Sequence, residues 1–395
     1  MYMHRHGGDV YSEPYEIDFS ANINPFGMPQ SVKDAAWEGV LSSVNYPDVS
    51  CRQLKKKISE KNKIPPEYFI FGNGAAELIF AVVSALKPKK VLVVSPGFAE
   101  YEQAARASGC EIEHYFLKED NQFLLEKSYL ESIKEDTDLV FLCNPNNPTG
   151  QLIECDFLQQ ILEKCRACKA FLVLDECFNE FLDQPNQYTM LSKTKEFKNM
   201  MILKAFTKIY AMPGLRLGYA ICSDRTVIEK MEAMLQPWNV SVPAQMAGNA
   251  ALDEEAFVQM TRAFIGQERI WMKKEMERIG IKTFDSKANY LFFKGPKNLA
   301  QYCKKYGILI RDCSNYEGLS NGYYRVAVRR REAVSYTHLE KSVVCTVGTL
   351  AQCAKENGIT KTALMIIGDV VSHSHYRRSD LYHPAFTTEF REASE

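Results

Sequence analysis

The sequence predicts an α/β fold built on an open, mostly parallel sheet with crossover helices. Between about residues 50 and 225, helix-like stretches alternate with four short apolar runs, KKVLVVSP, TDLVFLCNP, KAFLVLDE and NMMILKAF. Runs of this kind suit parallel strands that are buried on both faces. The 395 residues, 46% of them apolar, are enough for one large domain and a smaller one.

The order of the segments along the chain predicts where each of these domains begins and ends. We expect the large domain to span residues 46–275, ending in amphipathic helices that are rich in Met, Glu and Lys. The later segments ANYLFFKG, GILIRDC and GYYRVAVR have the pattern of strands, which predicts a small α+β domain over residues 276–332. We expect the N-terminal segment, residues 1–45, to join this small domain.

Composition and charge exclude several classes of partner. The formal net charge is -1 and no dense basic run occurs, so neither nucleic acid nor an anionic membrane surface is expected as a partner. There is neither an apolar stretch long enough to cross a bilayer nor a signal-like start, which predicts a cytosolic protein.

The 12 cysteines are sparse, and the pair Cys165 and Cys168 has no second pair at zinc spacing. We therefore expect reduced thiols and no metal.

Polar residues at the ends of the predicted strands and at one helix start are candidates for a binding site, because ligands of open α/β sheets bind beyond the carboxyl ends of the strands. The glycine-rich stretch IFGNGAAELIF places Gly74, Ala75 and Ala76 at a helix start, where free backbone N–H groups stabilise an anion such as phosphate. Asn147, in FLCNPNNPTG, can present a neutral donor over a bound ring. Asp175 ends a buried strand, where its carboxylate needs a cation such as a protonated pyridine nitrogen.

Two lysines and an arginine surround a Pro-Gly turn in ILKAFTKIYAMPGLRLG. A partly desolvated lysine amine can form a Schiff base with an aldehyde cofactor, and an arginine can hold the phosphate of that cofactor by paired hydrogen bonds. Lys208 and Arg216, eight residues apart, fit those two roles. Each feature alone is also compatible with an ordinary turn or surface charge, and their order along the chain favours a cofactor site.

Together GNGAAE, NPNNPTG, DECF and TKIYAMPGLRLG resemble the fold type I pyridoxal-phosphate enzymes of the class I/II aminotransferase superfamily, over roughly residues 4–332. The resemblance implies catalytic roles for Lys208, which would bond covalently to the cofactor, for Asp175 on the pyridine nitrogen and for Asn147 on the phenolic oxygen. It implies a homodimer, in which Tyr46 would reach the phosphate bound by the neighbouring subunit. Phe178 stands where many relatives carry a tyrosine, so one hydrogen bond to the cofactor is absent. The further cofactor contacts that it implies are Gly74, Ala75, Ala76, Thr207 and Arg216 on the phosphate, and Phe98 on the ring.

Three further segments, HGGDVY, DFSANINPFG and RDCSNYEGL, together with YYRVAVR, resemble the L-threonine-O-3-phosphate decarboxylase family of cobalamin biosynthesis, which is similar to histidinol-phosphate aminotransferases. This resemblance implies a phosphorylated amino acid as substrate, with Arg325 on its α-carboxylate and His6 and Arg311 near its phosphate. Asn24 is a further substrate-binding candidate. The geometry that selects decarboxylation over amino transfer is not readable from residue types, so a histidinol-phosphate-type aminotransferase that uses 2-oxoglutarate is the alternative.

The last part of the chain is expected to be foreign to this fold. The segment TVGTLAQCAKENGITKTALMIIGD, within residues 341–395, resembles the carboxyl-terminal end of precorrin-4 or cobalt-precorrin-4 C11-methyltransferase, and no methyltransferase activity is expected from so short a fragment. Residues 333–340 contain VSYTHL, which is also the translation of a transposon end used in sequencing libraries. We therefore interpret this junction as artificial, with a natural fusion as the alternative. The small domain would then lack its final helix, so an inactive chimeric remnant is a further possibility.

A regulatory reading, in which an aminotransferase-like domain senses its ligand and controls transcription, is disfavoured. The enzyme-like pattern begins within ten residues of Met1, and such regulators carry an added amino-terminal DNA-binding domain. In the tail, His373, His375 and His383 have no carboxylate or cysteine at a spacing that would complete a metal site.

Overall fold

The computed structural model of the chain describes residues 6–12, 14–335 and 349–356, in two units that divide at residue 334. The strands are β1 (Ile17–Asp18), β2 (Phe69–Asn73), β3 (Lys90–Ser95), β4 (Glu111–Phe116), β5 (Leu139–Cys143), β6 (Phe171–Asp175), β7 (Met200–Ala205), β8 (Leu217–Cys222), β9 (Lys282–Thr283), β10 (Tyr290–Lys294), β11 (Ile308–Leu309), β12 (Arg311–Asp312) and β13 (Tyr323–Ala327). The helices are α1 (Gln30–Leu41), α2 (Arg52–Asn62), α3 (Ala75–Leu86), α4 (Ala99–Ala107), α5 (Tyr129–Ser132), α6 (Cys155–Ala167), α7 (Phe206–Ile209), α8 (Arg225–Glu232), α9 (Val242–Ala251), α10 (Glu255–Arg278), α11 (Leu299–Lys304), α12 (Arg331–Ser335) and α13 (Leu350–Glu356).

A seven-stranded sheet in the order β2-β8-β7-β6-β5-β3-β4 forms the centre of the first unit. Strands β4, β3, β5, β6 and β7 are parallel, and β8 is antiparallel to both of its neighbours. Every residue of β5, β6 and β7 is buried, because helices cover both faces of these strands. The four apolar runs of the sequence are therefore confirmed as strands β3, β5, β6 and β7. The chain order reverses between β3 and β5, and such a switch point opens a crevice at the carboxyl ends of the strands.

Local sequence signals account for several helix boundaries. Helix α8 begins after Asp224, whose carboxylate accepts a hydrogen bond from the backbone N–H of Thr226 at 2.9 Å. Helix α9 begins after Ser241 in the same way, and Pro243 lies in its first turn. In the long helix α10, the buried positions recur every three or four residues, as expected for a helix with one face in the core.

A second, antiparallel sheet has the order β12-β13-β10-β9, and the short strand β1 pairs in parallel with β11 beside it. Strand β1 of the N-terminal segment thus pairs with the later part of the chain, whereas α1 of the same segment packs on α9. Glu119, between β4 and β5, ties the two parts of the unit together through Lys282 at 2.7 Å and Lys294 at 2.9 Å. These lysines and the Tyr323 hydroxyl lower the pKa of Glu119 to about 2. The exact domain boundaries, 46–275 and 276–332, stay predictions.

The predicted junction at 333–340 and fragment at 341–395 lie largely outside the described residues. In this region the structure describes residues 333–335 and the helix α13. His373, His375 and His383 are outside the described residues as well. Within the described ranges, no helix is long and apolar enough to cross a membrane.

Candidate active site

A cavity of about 310 Å³ opens where β3, β5, β6 and β7 end. Most of the residues predicted from the sequence line it, although they come from distant parts of the chain. They are His6, Ala75, Ala76, Phe98, Asn147, Asp175, Thr207, Lys208, Arg216, Arg311 and Arg325. The carboxyl-end rule for open α/β sheets explains this convergence, since each strand delivers its next residues to the same edge.

Lys208 lies in the single turn α7, directly after β7, and its side chain faces the cavity. Desolvation by the surrounding protein, followed by the positive charge of Arg325, lowers the pKa of Lys208 to about 8. The neutral amine is the nucleophilic form, so this environment prepares Lys208 for attack on a carbonyl group.

The lowered pKa gives a prediction for the capture of the cofactor by Lys208. Because the folded-state pKa of Lys208 is depressed, its neutral amine is present above about pH 8 rather than only above the ordinary value of 10.5. We expect the rate of covalent uptake of an aldehyde cofactor by cofactor-free protein to rise with pH and to level off above about 8. Stopped-flow visible absorbance at a series of pH values measures this rate. A rise that continues to pH 10.5 would contradict the prediction.

Lys204 is four residues earlier and does not line the cavity. Its side chain is only 3% exposed, and Nζ lies 3.0 Å from Glu176 and 3.3 Å from Glu180. Burial alone would lower the pKa of Lys204, but the charges of Glu180 and Glu176 raise it above its ordinary value. Lys204 is therefore a charged structural group behind the site, whereas Lys208 presents its amine to the cavity.

Asp175 ends β6 with its carboxylate held by two donors. The Tyr101 hydroxyl donates to Oδ2 at 2.6 Å, and the backbone N–H of Cys177 donates to Oδ1 at 2.9 Å. Tyr101 stacks on Phe141, with ring centroids 4.8 Å apart, so its own orientation is fixed by packing. This arrangement fixes a buried carboxylate at the wall of the cavity, where a cationic ring nitrogen can meet it.

Arg311 and Arg325 are direct partners across the antiparallel pair β12 and β13. Both side chains are buried and both line the cavity. Arg325 donates to Oδ1 of Asn147 and, at 2.9 Å, to the backbone oxygen of Ser20, while Arg311 lies over the Tyr316 ring at 5.0 Å. The pair thus places two guanidinium groups at the cavity wall, where anionic groups of a ligand can bind.

In the predicted phosphate loop, the backbone packs closely against the side chain of Arg216. Gly74 has a φ of 78° and precedes α3, so it adopts the left-handed region that glycine tolerates. A Cβ at Gly74 would lie 2.4 Å from Nη2 of Arg216, and a Cβ at Gly218 would lie 2.4 Å from the backbone nitrogen of Ala75. These contacts hold the guanidinium beside the N-terminus of a twelve-residue helix, a suitable cradle for a phosphate group.

Three predicted site residues do not line the cavity: Gly74, which adjoins Arg216, and Asn24 and Tyr46. Asn24 is buried and its amide donates to the backbone oxygen of Ile209 at 2.7 Å and to Thr261 at 2.9 Å, so it holds the turn that carries Lys208. Tyr46 is 78% exposed and stacks on Trp238 with ring centroids 4.5 Å apart.

The sequence analysis missed Glu100, Asn22 and Tyr316, all of which line the cavity. Glu100 follows Phe98 by two residues in the first turn of α4, and an acidic residue just beyond a strand end was a usable signal. Phe178, where many relatives carry tyrosine, lines the cavity and meets the Tyr290 ring edge to face, with centroids 5.2 Å apart. Among the described residues, no cluster of His, Cys, Asp or Glu is suited to hold a metal ion.

The mixed sheet, the lysine after β7 and the carboxylate at the end of β6 define a fold type I pyridoxal-phosphate enzyme. The chain belongs to the aminotransferase class I and II family, whose model matches residues 15–336. This family depends on pyridoxal 5'-phosphate, which is therefore the cofactor of this chain. The residues present fit that group, since the cavity combines a lysine amine with a lowered pKa, a buried carboxylate and a phosphate cradle.

Three similar proteins carry names that specify an activity or a pathway within this family. A threonine-phosphate decarboxylase of Salmonella typhimurium is 38% identical over 336 residues, which are 82% of this chain and 92% of that protein. The adenosylcobalamin biosynthesis bifunctional protein CobDQ of Leptospira interrogans is 31% identical over 84% of this chain and 40% of its own length. Among solved structures, the histidinol-phosphate aminotransferase of Clostridium acetobutylicum superimposes with a TM-score of 0.76 at 30% identity, covering 82% of this chain and 97% of that one.

Proposed function

We propose that this chain decarboxylates L-threonine O-3-phosphate to (R)-1-aminopropan-2-yl phosphate and CO2, in the biosynthesis of cobalamin. The names of the Salmonella and Leptospira relatives support this substrate and this pathway. The observation that carries the proposal is the pair of buried arginines, Arg311 and Arg325, facing each other across β12 and β13 in the cavity. A substrate with both a carboxylate and a phosphate offers one anionic group to each of these guanidinium groups.

Different residues of the site would bind different groups of the cofactor and of the substrate. Lys208 would hold the cofactor covalently, Asp175 its ring nitrogen and Arg216 with the start of α3 its phosphate, while Phe98 would cover its ring. Arg325 would hold the substrate carboxylate, and Arg311 with His6 would hold the substrate phosphate. The chemistry that the bound cofactor supplies is delocalisation of the electron pair left at the amino-bearing carbon. By fixing both ends of the substrate, the arginines determine which bond at that carbon breaks.

A second candidate is a histidinol-phosphate-type aminotransferase that uses 2-oxoglutarate, favoured by the Clostridium structure at 30% identity. Both reactions need the same cofactor site, and both substrates carry a phosphate. They differ in the substrate carboxylate, which histidinol phosphate lacks, while 2-oxoglutarate brings two carboxylates and no phosphate.

The experiment that separates the two functions is a product assay on purified protein loaded with pyridoxal 5'-phosphate. We expect CO2 from L-threonine O-3-phosphate, with no keto acid formed. Transfer of the amino group from histidinol phosphate to 2-oxoglutarate without release of CO2 would establish the alternative. Absence of both activities in protein that binds the cofactor would support the inactive remnant.

We also propose that the enzyme is a homodimer. Large apolar side chains are exposed along α1 and the segment after it, beside the Tyr46–Trp238 stack, and exposed apolar surface of this kind is typical of protein interfaces. They are Trp37, Val40, Leu41, Val44 and Val49. A second copy of the chain would cover them and bring Tyr46 to the cofactor phosphate of its partner.

The dimer proposal predicts that Val44→Glu converts the protein into a monomer, because a charge would be buried in the interface. Sedimentation velocity measures the change in mass. Ile279→Glu is the matched control, since Ile279 is also exposed, at 67%, but lies at the end of α10 away from this surface. A wild-type protein that sediments as a monomer would refute the proposal.

We place the enzyme in the cytoplasm. The eleven cysteines within the described residues are all free thiols, including Cys165 and Cys168, as is usual for proteins kept in a reducing compartment.

A further inference from the structure

Glu100 is a largely enclosed acid that lines the cavity. It lies in the first turn of α4, and its side chain is 13% exposed. One oxygen, Oε1, lies 3.2 Å from Nε2 of His6. The other, Oε2, is buried without a hydrogen-bond partner among the described residues. An ionised carboxylate in that position would leave an uncompensated acceptor, so the environment favours a carboxyl group that keeps its proton.

Burial is the largest influence on the pKa of both Glu100 and His6. Burial raises the pKa of Glu100 to about 7, although Lys208 and Arg311 oppose the shift, and Asp175 adds to it. Burial, Arg311 and Lys208 lower the pKa of His6. Near neutral pH, Glu100 therefore exchanges its proton readily with an imidazole that is mostly neutral.

His6 connects this acid to solvent. Its side chain is 53% exposed, whereas Glu100 is mostly enclosed. The segment that carries His6 is tied to the cavity wall, because the backbone N–H of Gly8 donates to Ser20 Oγ at 2.7 Å. A Cβ at Gly7 would lie 2.2 Å from the backbone oxygen of Ser20, so the close approach of this segment depends on glycine. The imidazole is thus held with one side toward the cavity and the other toward water.

Decarboxylation has a requirement that amino transfer does not share. When a carboxylate leaves as CO2, the carbon–carbon bond breaks and its electron pair stays on the amino-bearing carbon. A new C–H bond must then form there, so every turnover consumes one proton. Amino transfer moves a proton between two carbons with no net uptake. A decarboxylase therefore needs a path by which protons enter its cavity.

We propose that Glu100 and His6 form this path. The O–H bond of Glu100 breaks and the proton joins the carbon that has lost CO2, after which His6 passes a proton from solvent to the Glu100 carboxylate. Atoms and charge balance, since the one proton consumed is the one taken from water. This proposal rests on the decarboxylase function, and it adds a proton donor to the reaction.

Glu100→Gln tests the donor, because it keeps the shape of the side chain and removes the acidic proton. We expect kcat for CO2 release to fall by about 10²–10⁴-fold, with KM for L-threonine O-3-phosphate nearly unchanged. In the wild type, kcat should decline as pH rises through about 7, since the donor form of an acid with a raised pKa is lost above that pKa. The variant should lack this decline. His6→Asn should show a smaller loss, which added imidazole partly restores.

Glu102→Gln is the matched control on the same helix. Glu102 pairs with Arg106, and it does not line the cavity, so its variant should keep the activity of the wild type. Circular dichroism of all variants should show the same helical content. A Glu100→Gln variant with normal kcat and an unchanged pH profile would overturn the relay.

A measurement without cofactor or substrate separates failure of the relay from failure of the function. Infrared difference spectra of the cofactor-free protein should show a protonated carboxyl band that disappears as pH rises through about 7, and that is absent in Glu100→Gln. If the band is missing in the wild type, Glu100 holds no proton and the relay is wrong. If the band is present but the loaded wild type releases no CO2, the proposed function fails, and the relay fails with it.

Discussion

Lys208→Ala is expected to release no measurable CO2 from L-threonine O-3-phosphate and to bind pyridoxal 5'-phosphate without a covalent bond. Lys208 is the lysine whose amine lines the cavity, and desolvation lowers its pKa to about 8. Without the amine there is no nucleophile for the aldehyde, so we expect a loss of at least about 10³-fold in kcat/KM. Radiometric CO2 release and the visible spectrum of the loaded protein measure the two effects.

The fold should survive this change. Lys208 lies in a single turn at the edge of the cavity. Its replacement removes a desolvated amine whose positive charge is repelled by those of Arg325 and Arg216. Thermal unfolding of the cofactor-free variant should therefore match that of the wild type. Lys230→Ala is a suitable control, because Lys230 lies in the last turn of α8, outside the cavity. Substantial CO2 release by Lys208→Ala would show that another group supports the reaction.

The central sheet was predictable because its signal is local. The parallel strands β5, β6 and β7 are buried on both faces, so the sequence of each is a continuous apolar run. The polar residues that follow these runs, such as Asn147 and Asp175, inevitably meet at one edge of the sheet. The pairing of β8 with β7 and β2 in antiparallel direction was not specified, since strand direction depends on how the connections cross the sheet.

The substrate side of the site was harder to predict from residue properties. Arg311 and Arg325 are separated by a turn, and only the register of β12 against β13 places them opposite each other. Sequence identifies them through family resemblance rather than through spacing. Asn24 shows the opposite case, because its type and motif indicate a ligand contact, whereas tertiary packing directs its amide to the backbone of Ile209. The pKa of Glu100 depends on burial, which no local pattern of the sequence contains.

Lys204 in β7 and Lys208 in α7 differ in role, since Lys204 is expected to affect stability and Lys208 the reaction. Lys204→Met is expected to lower the free energy of unfolding by about 3–5 kcal/mol, because it leaves a buried carboxylate without its cation. Glu176 is fully buried, and apart from Lys204 its oxygens meet Thr189 at 2.6 Å and the backbone N–H of Met190 at 2.9 Å. Urea unfolding of the cofactor-free protein measures the change as a shift in midpoint at constant slope.

A second substitution tests whether the loss comes from the unpaired charge. Glu176→Gln in the Lys204→Met background removes the buried carboxylate, keeps one amide oxygen as acceptor for the Met190 N–H and can donate from its NH2 group to the Thr189 hydroxyl oxygen, so it should recover part of the stability. Partial recovery would show that the ion pair stabilises the fold chiefly because each charge is costly without the other. A loss below about 1 kcal/mol in Lys204→Met would instead mean that Glu176 becomes protonated or reaches water at little cost. Asp175 immediately precedes Glu176 in the chain. A displacement of Glu176 is therefore also expected to move the Asp175 carboxylate and to weaken the contact that we propose between it and the cofactor.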